Sequence, residues 1–264
     1  MNNQASIIIN NLSIGYNSGN VTRSVAVKLS AVIRQGELTC LLGSNGSGKS
    51  TLLRTIAGLQ PKLEGNILIE NKVIESYSRK TLSKTVGVVL TEKTELREMT
   101  VRDLVGLGRN PYTGFWGRLN YNDEREINKA ICSLRIESLA DRSVNTLSDG
   151  ERQKVMIAKA LAQETPVIIL DEPTAFLDFP SRVDTMRFLM RLAREENKTI
   201  LISTHDLELA LQTADRLLLL TSNSVITGTP EKLVNDGSIE NFFPCQGAKF
   251  DPVGRLFRIT GFNA

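Results

Sequence analysis

One stretch early in the chain has the residue types and spacing that bind nucleotide phosphates. It follows the pattern G-x-x-x-x-G-K-[ST] completely and comes directly after Leu38–Leu42, an apolar run that predicts a buried strand. Glycines let the backbone wrap closely around phosphate oxygens, and a following helix adds oriented N–H groups at its N-terminus. We expect Lys49 to meet the β- and γ-phosphates and the Ser50 hydroxyl to bind Mg²⁺. The predicted loop is Gly43, Ser44, Asn45, Gly46, Ser47, Gly48, Lys49, Ser50 and Thr51.

Two carboxylates follow a second apolar run. Residues 167–170 predict a buried strand, and Asp171 and Glu172 come directly after it. Open parallel sheets bind ligands at the carboxyl ends of their strands, so this pair would lie at the edge that carries the phosphate loop. Adjacent carboxylates are common on solvated surfaces, and the complete loop is what favours a functional role here. We expect Asp171 to hold Mg²⁺ through water and Glu172 to polarise an attacking water molecule.

His205 is the only histidine of the chain, and it follows the apolar run Thr199–Ser203. A lone histidine is more often a structural residue than a catalytic one. Its position after another predicted strand places it at the same sheet edge, where a γ-phosphate would lie. We therefore predict that His205 hydrogen-bonds that phosphate or orients the attacking water.

Residues 147–153, Leu-Ser-Asp-Gly-Glu-Arg-Gln, form a second element that can read a phosphate. Ser148 and Gly150 lie in a turn that opens a predicted helix, which offers a hydroxyl and backbone N–H groups to an anion. The chain already has one phosphate loop. The phosphate that this second segment reads therefore belongs either to the same chain or to another one, and that choice decides whether one chain is a complete enzyme.

Short apolar runs alternate with helical patterns over most of the length, which predicts an α/β fold. Further buried strands are expected at residues 86–90 and 217–220. Helices are expected at residues 50–57, near Pro180, and after Asp206, which is a good N-cap residue. These elements are the ones that would carry the candidate site residues.

The rest of the chain divides into three regions. Runs at residues 7–12, 25–33 and 66–69 predict a small antiparallel sheet. We expect one domain over residues 1–235, with a helical subdomain inserted at about 93–165. Residues 236–264 would form a tail of irregular structure packed on the core.

Composition excludes several classes of protein. Of the 264 residues 41% are hydrophobic and 23% are charged, and a net charge of +3 gives no argument for nucleic acid or an anionic membrane surface. Cys40, Cys132 and Cys245 lack zinc-ligand or redox spacing, which suits a reducing compartment. No signal-peptide pattern opens the chain, and no apolar run approaches the roughly 20 residues that span a bilayer. We expect a cytoplasmic protein.

Taken together, these motifs resemble the nucleotide-binding subunit of an ATP-binding cassette (ABC) transporter, over roughly residues 5–235. The resemblance implies a P-loop NTPase (RecA-like) core with an antiparallel β subdomain and an inserted α-helical subdomain. It also implies ATP as the substrate and Mg²⁺ as the cofactor. Tyr16 matches the aromatic residue that stacks on adenine, although an ordinary aromatic at a strand end is the alternative. Asp178 matches the residue that communicates between two active sites. The family signature matches Leu147, Ser148, Asp149, Gly150 and Glu151.

Family resemblance also implies whose phosphate the second element reads. Two copies would face head to tail, with Ser148 and Gly150 of each copy contacting the γ-phosphate held by the other. ATP binding would close the pair, and hydrolysis with product release would reopen it. The implied partners are a second copy, two transmembrane permease subunits and, indirectly, a substrate-binding protein, without nucleic acid. The implied location is peripheral, at the cytoplasmic face of the inner (plasma) membrane.

The chain departs from the family pattern at several positions. Asp149 stands where the family usually has glycine, which puts a negative charge near a phosphate. Glu151 replaces the commoner glutamine, a frequent variant. The loop after residues 86–90 usually carries a glutamine that reaches Mg²⁺, and Thr91 aligns there, followed by Glu92. Thr91 would reach the metal only through water, and which of the two replaces the glutamine stays open.

The helical region also resembles one transporter subfamily in particular. Residues 100–112 and 139–142 are similar to the ATP-binding subunits that energise uptake of iron–siderophores, haem and cobalamin. We therefore expect an importer subunit whose own residues do not touch the cargo. One alternative is the ATPase subunit of an exporter, which differs only in its partner. The other is a soluble cassette ATPase that acts on ribosomes or DNA repair; such proteins usually carry two cassettes or a long coiled coil.

Overall fold

The strands build two sheets and a hairpin. The computed structural model describes residues 4–19, 21–90, 99–114, 117–244 and 247–260. In these residues the strands are β1 (Ala5–Ser18), β2 (Val21–Arg34), β3 (Leu38–Leu42), β4 (Glu64–Ile69), β5 (Lys72–Val73), β6 (Val86–Val89), β7 (Val167–Asp171), β8 (Thr199–Ser203), β9 (Arg216–Leu220), β10 (Val225–Gly228), β11 (Ala248–Asp251) and β12 (Leu256–Ile259).

The helices begin where the sequence supplies capping residues. In the same part of the chain they are α1 (Lys49–Ile56), α2 (Arg79–Ser83), α3 (Val101–Gly106), α4 (Tyr121–Ser133), α5 (Asp149–Ala162), α6 (Phe179–Glu195), α7 (Leu207–Thr213), α8 (Pro230–Asn235) and α9 (Ser238–Phe242). Each of α2 to α8 follows a Ser, Thr, Asn or Asp whose side chain accepts a first-turn N–H. The predicted N-cap at Asp206 is confirmed.

A mostly parallel sheet brings the candidate site residues to one edge. Its strand order is β10-β9-β3-β8-β7-β6, and only β10 runs antiparallel to its neighbour among the described strands. β3, β8 and β7 are therefore adjacent and parallel, so their carboxyl ends lie side by side. The phosphate loop leaves β3, His205 follows β8, and Asp171 ends β7. The predicted α/β fold class is confirmed.

The central strands are buried on both faces, which explains their continuous apolar runs. All residues of β3, β7 and β8 are buried. Successive side chains alternate between two cores: Cys40 belongs to the core under α6 and α7, whereas Leu41 belongs to the core under α1 and the antiparallel sheet. Burial raises the pKa of the Cys40 thiol far above its ordinary value, and Asp215 adds to the effect, so this cysteine is a packing residue.

The antiparallel sheet is longer than its apolar pattern predicts. Its order is β2-β1-β4-β5, and β1 and β2 pair from Ala5–Arg34 to Ser18–Val21. The predicted strands 7–12 and 25–33 cover only the inner half of this hairpin. The outer half includes the buried Ile14 but otherwise continues through mostly polar residues, because backbone hydrogen bonds between the two strands do not require an apolar face. Tyr16 lies in this outer half, opposite Arg23.

The region between β6 and β7 is helical and has a core of its own. α3, α4 and α5 pack around buried residues that include Leu104, Ile127 and Val155. Only an isolated bridge between Thr100 and Ser143 breaks the helical pattern in its described part. The expected divisions at residues 1–235, 93–165 and 236–264 remain a prediction.

A buried arginine ties this helical region to the end of α5. Arg109 is 1% exposed and donates to Asp123 Oδ1 at 2.9 Å, to the Ala162 carbonyl at 2.7 Å and to Glu164 Oε2 at 2.5 Å. The ring of Tyr112 lies 4.1 Å from its guanidinium carbon. Burial of a charge is costly unless it is paired in this way. The cluster therefore fixes the C-terminal end of the helix whose N-terminus carries Ser148.

The C-terminal tail contains regular structure, so the prediction of an irregular tail is wrong. α9 is followed by the hairpin of β11 and β12. Asp251 Oδ1 accepts the N–H groups of Val253 and Gly254 and thereby closes the turn between these strands. Phe250 is 5% exposed and belongs to the core under α6 and α7. A short polar turn followed by few apolar residues gives little strand signal in sequence.

No helix among the described residues combines the length and the apolar character that a membrane crossing requires.

Candidate functional site

The phosphate loop has the backbone geometry that its glycines make possible. Gly48 is the N-cap of α1 with φ +99°, a left-handed conformation that favours glycine. At Gly43 a Cβ atom would lie 2.5 Å from the Ser47 hydroxyl, so the loop closes too tightly for a side chain there. Lys49 Nζ donates to the carbonyls of Gly43 at 2.9 Å and Ser44 at 3.3 Å. The predicted loop residues are therefore gathered around one turn.

This turn fits an anionic ligand. The Ser47 hydroxyl is buried and has no hydrogen-bond partner among the described residues, which is unusual for a buried polar atom. Lys49 is 7% exposed, and its ammonium group donates to two carbonyls of the loop. The N–H groups at the start of α1 add partial positive charge. A phosphate at this position would satisfy the hydroxyl, the ammonium group and the helix N-terminus together.

Ser203 organises the two carboxylates, a role that the motifs in the sequence do not predict. Asp171 and Ser203 are partners in the pairing of β7 with β8. The buried Ser203 hydroxyl donates to Asp171 Oδ1 at 2.5 Å and accepts the Glu172 N–H at 2.9 Å. Glu172 has φ +49°, which a non-glycine residue rarely adopts, and this N–H bond helps hold it there. The feature of the sequence that could have indicated Ser203 is a polar residue at the end of a mostly apolar strand.

We predict that Ser203→Ala lowers kcat for ATP hydrolysis about 10- to 100-fold, because a hydrogen bond to a charged group is worth about 1.5–3 kcal/mol. The KM for ATP should change less, since Ser203 lies outside the phosphate loop. Steady-state phosphate release measures both constants, with Ser133→Ala at the C-terminal end of α4 as the control. A variant with wild-type kcat would show that Ser203 does not position the carboxylates.

His205 and Glu172 meet at the carboxyl edge of the sheet. His205 Nδ1 lies 3.5 Å from Glu172 Oε2, and the two side chains are 63% and 28% exposed. Thr204, the residue between β8 and His205, donates its N–H to the Leu41 carbonyl of β3. The turn that carries His205 is thereby attached to the strand that leads into the phosphate loop. The structure brings together the residues that we expect to act on the γ-phosphate.

Tyr16 lies beside the phosphate loop. Its hydroxyl shares a hydrogen bond of 3.0 Å with Thr51 Oγ1 on α1, and 49% of the residue is exposed. The outer half of the β1–β2 hairpin therefore borders the nucleotide site. An exposed aromatic ring there is available to a base attached to phosphates in the loop.

The signature segment (residues 147–153) presents its hydroxyl at the surface through a capping box. The Ser148 hydroxyl accepts the Glu151 N–H at 3.3 Å and donates to Glu151 Oε2 at 3.0 Å, and the Ser148 N–H donates to the same oxygen at 2.8 Å. These hydrogen bonds from Ser148 lower the pKa of the Glu151 carboxyl, and Arg142 contributes through a 3.3 Å ion pair. Asp149 is exposed at the first position of α5, where a carboxylate favours the helix but would repel a phosphate.

The segment 173–178 lies against the signature segment. A Cβ atom on Gly150 would be 3.2 Å from Leu177 Cδ2. Asp178 caps α6 by accepting the Ser181 N–H at 3.0 Å, and hydrogen bonds from Ser181 lower the pKa of its carboxyl. Phe176 is 75% exposed with φ +64°. The signature segment and segment 173–178 are therefore neighbours at one surface, and both are candidates for contact with a partner chain.

The oxygen donors at the loop suit Mg²⁺. Asp171 is a 3% exposed carboxylate at the strand end, and Ser50 is the second residue of α1. Mg²⁺ in nucleotide sites is usually held by one or two protein oxygens together with substrate phosphates, and these two residues meet that need. Among the described residues no group of three or more His, Cys, Asp or Glu side chains is arranged to hold a metal. Thr91 and Glu92, the other candidates, lie outside the described residues.

Comparison with known proteins identifies the family that the chain resembles. The ABC transporter family profile matches residues 27–175. An ABC transporter ATP-binding protein of Methanocaldococcus jannaschii is 40% identical over 251 residues, which cover 94% of this chain and 85% of the relative. The ferric enterobactin transport ATP-binding protein FepC of Escherichia coli is 35% identical over 233 residues, which cover 88% and 84%.

Solved structures give the same assignment of the fold. A chain of a metal-chelate type ABC transporter in an inward-facing conformation has a TM-score of 0.77 at 27% identity, covering 91% of this chain and 89% of that one. A dimeric ATP-binding cassette in a post-hydrolysis state, bound to ADP and phosphate, has a TM-score of 0.75 at 27% identity, covering 85% and 98%. The chain therefore belongs to the ABC transporter family, as an ATP-binding subunit that hydrolyses ATP.

Proposed function

We propose that this chain works as a homodimer beneath two membrane permease subunits and powers the import of chelated iron, haem or cobalamin. One observation is the main support for the homodimer. The chain has a complete phosphate loop and also a signature segment whose Ser148 is exposed at the N-terminus of α5. Because this second phosphate-binding element is exposed, it can contact ATP that is bound to the phosphate loop of another copy. The dimeric cassette bound to ADP and phosphate supports this arrangement.

In this proposal each catalytic site is shared between two chains. Lys49 and the loop N–H groups of one chain bind the ATP phosphates, and Tyr16 stacks on the base. Ser50 and Asp171 would hold Mg²⁺, which supplies positive charge to the phosphates. Glu172 accepts a proton from the attacking water, and His205, 3.5 Å away from it, orients the γ-phosphate or that water. Ser148 and Gly150 of the partner copy complete the site.

Two observations support import of a chelate or corrinoid. In the helical region, residues 100–112 and 139–142 resemble the ATP-binding subunits that energise uptake of iron–siderophores, haem and cobalamin. One relative is named for ferric enterobactin transport, and one similar structure is described as metal-chelate type. The permease would bind at the helical region and hold the chain at the cytoplasmic face of the membrane. A substrate-binding protein on the other face would deliver the cargo.

Reconstitution tests this proposal. The chain is tagged in its native host, purified in mild detergent with its bound membrane proteins, and placed in liposomes with its substrate-binding protein. We expect ATP added on the side of the chain to move a radiolabelled ferric siderophore, haem or cobalamin towards that side. The same complex with Lys49→Ala should transport nothing. Movement of a substrate away from the ATP would support an exporter, and co-purification with ribosomes alone would support a soluble cassette ATPase.

A further inference from the structure

The ion pair between Arg182 and Asp206 joins two parts of the candidate site. One is the helix that follows segment 173–178, and the other is the turn that carries His205. Arg182 lies in the first turn of α6, where its N–H donates to the Asp178 carbonyl at 2.9 Å. Its Nη1 donates to Asp206 Oδ2 at 3.0 Å. Asp206 directly follows His205. A single side chain therefore connects the helix that follows segment 173–178 to the turn that carries the histidine.

Asp206 in turn fixes the backbone on both sides of His205. Its N–H donates to Thr204 Oγ1 at 3.1 Å, and its Oδ1 accepts the Leu209 N–H at 3.0 Å as the cap of α7. Thr204 is 4% exposed and is attached to β3. A shift of the Asp206 carboxylate would consequently move the backbone at His205, whose side chain is 63% exposed.

The surroundings of Arg182 leave room for a second arrangement. Its Nε is buried and meets no hydrogen-bond partner within the described part of the chain, which is uncommon for a buried donor. Phe179, whose ring centroid lies 5.9 Å from the guanidinium carbon, is 68% exposed, and Phe176 is 75% exposed. Exposed aromatic rings of this size are typical of interaction surfaces. A partner that contacts these rings would move the start of α6 and Arg182 with it.

We propose that Arg182 is a positioning residue that transmits contact of the second copy with segment 173–178 to His205 through Asp206. This inference rests on the proposed ATP-driven homodimer. Because the ion pair is partly exposed, with the side chains 34% and 23% accessible, it contributes little to the stability of the fold. Its removal should therefore affect hydrolysis more than folding.

The test compares Arg182→Met with Arg182→Lys and with Arg187→Met, an exposed arginine on the same helix. ATP hydrolysis by the full chain is measured against ATP concentration, and thermal unfolding is followed by circular dichroism. We expect Arg182→Met to lower kcat about tenfold with a KM for ATP within about twofold, and to lower the Hill coefficient towards one. Arg182→Lys should restore much of kcat, and Arg187→Met should behave like wild type.

Dimer formation separates this inference from the function on which it rests. In the Glu172→Gln background, Arg182→Met should still dimerise with ATP on size-exclusion chromatography, because the ion pair acts after contact. Equal kcat for Arg182→Met and Arg187→Met would overturn the role of Arg182 alone. A loss of kcat without rescue by lysine, accompanied by a matching loss of thermal stability, would also overturn it. Failure of Glu172→Gln itself to dimerise with ATP would overturn the homodimer instead.

Discussion

Replacing Glu172 with glutamine is expected to lower steady-state ATP hydrolysis by about 100-fold or more, since a positioned general base contributes about 10²–10⁴-fold. The amide keeps the size of the side chain but cannot accept the proton of the attacking water. Glu172 leaves the sheet in a left-handed conformation with its N–H bound to Ser203, so the substitution changes the chemistry without changing the backbone support. ATP binding at the phosphate loop should persist.

Three measurements test this expectation on one preparation. Phosphate release gives the turnover, a fluorescent ATP analogue gives the affinity, and size-exclusion chromatography with ATP gives the oligomeric state. The variant should bind ATP within about threefold of wild type and accumulate as an ATP-bound dimer. Glu195→Gln at the exposed end of α6 is the matched control and should hydrolyse ATP normally. Unimpaired turnover in Glu172→Gln would remove Glu172 from its assigned role.

The sequence predicts which strand ends carry the candidate site residues. β3, β7 and β8 are short apolar runs, and their parallel order places the loop, Asp171 and His205 on one edge without any knowledge of side-chain contacts. What it misses are residues whose role depends on a neighbouring strand or helix. Ser203 bridges Asp171 and Glu172 only because β7 and β8 pair in one register. Arg182, in α6, contacts Asp206, which caps the neighbouring helix α7.

Other differences come from weak local signals. The outer half of the β1–β2 hairpin is mostly polar, and its ladder is visible only once the strands are paired. Arg109 looks like a surface charge in sequence, but it is 1% exposed because Asp123 and Glu164 from separate segments converge on it. The Ser148–Glu151 capping box, by contrast, is readable from spacing alone, and it explains why a glutamate fits at this signature position.

The strongest test of the shared site uses two defective variants that repair each other. Lys49→Ala should abolish ATP binding at a chain's own loop, because the buried ammonium group of Lys49 is expected to be the main positive charge at the phosphates. Ser148→Arg should leave that binding intact but block the surface offered to the partner. Each variant alone should therefore hydrolyse ATP at no more than about 1% of the wild-type rate.

Mixing the two variants should restore activity, which no single-chain site can explain. A mixed dimer has one site with both defects and one site with an intact loop and an intact signature. If the two chains pair at random and the sites act independently, an equal mixture should reach about a quarter of the wild-type rate. Cooperativity between the sites would lower this figure without abolishing the gain over either variant alone.

Ser148→Arg also removes the N-cap of α5, which costs about 1 kcal/mol of stability. Its control is therefore a variant that removes the N-cap of a different helix. Thr229 caps α8 through the Lys232 N–H in the same way, far from the signature segment in sequence. Thr229→Arg should destabilise the chain slightly and remain active without a partner variant. A mixture of Lys49→Ala and Ser148→Arg that stays inactive, while both chains bind to each other, would mean that each chain completes its own site and that the signature segment reads the phosphate of its own loop.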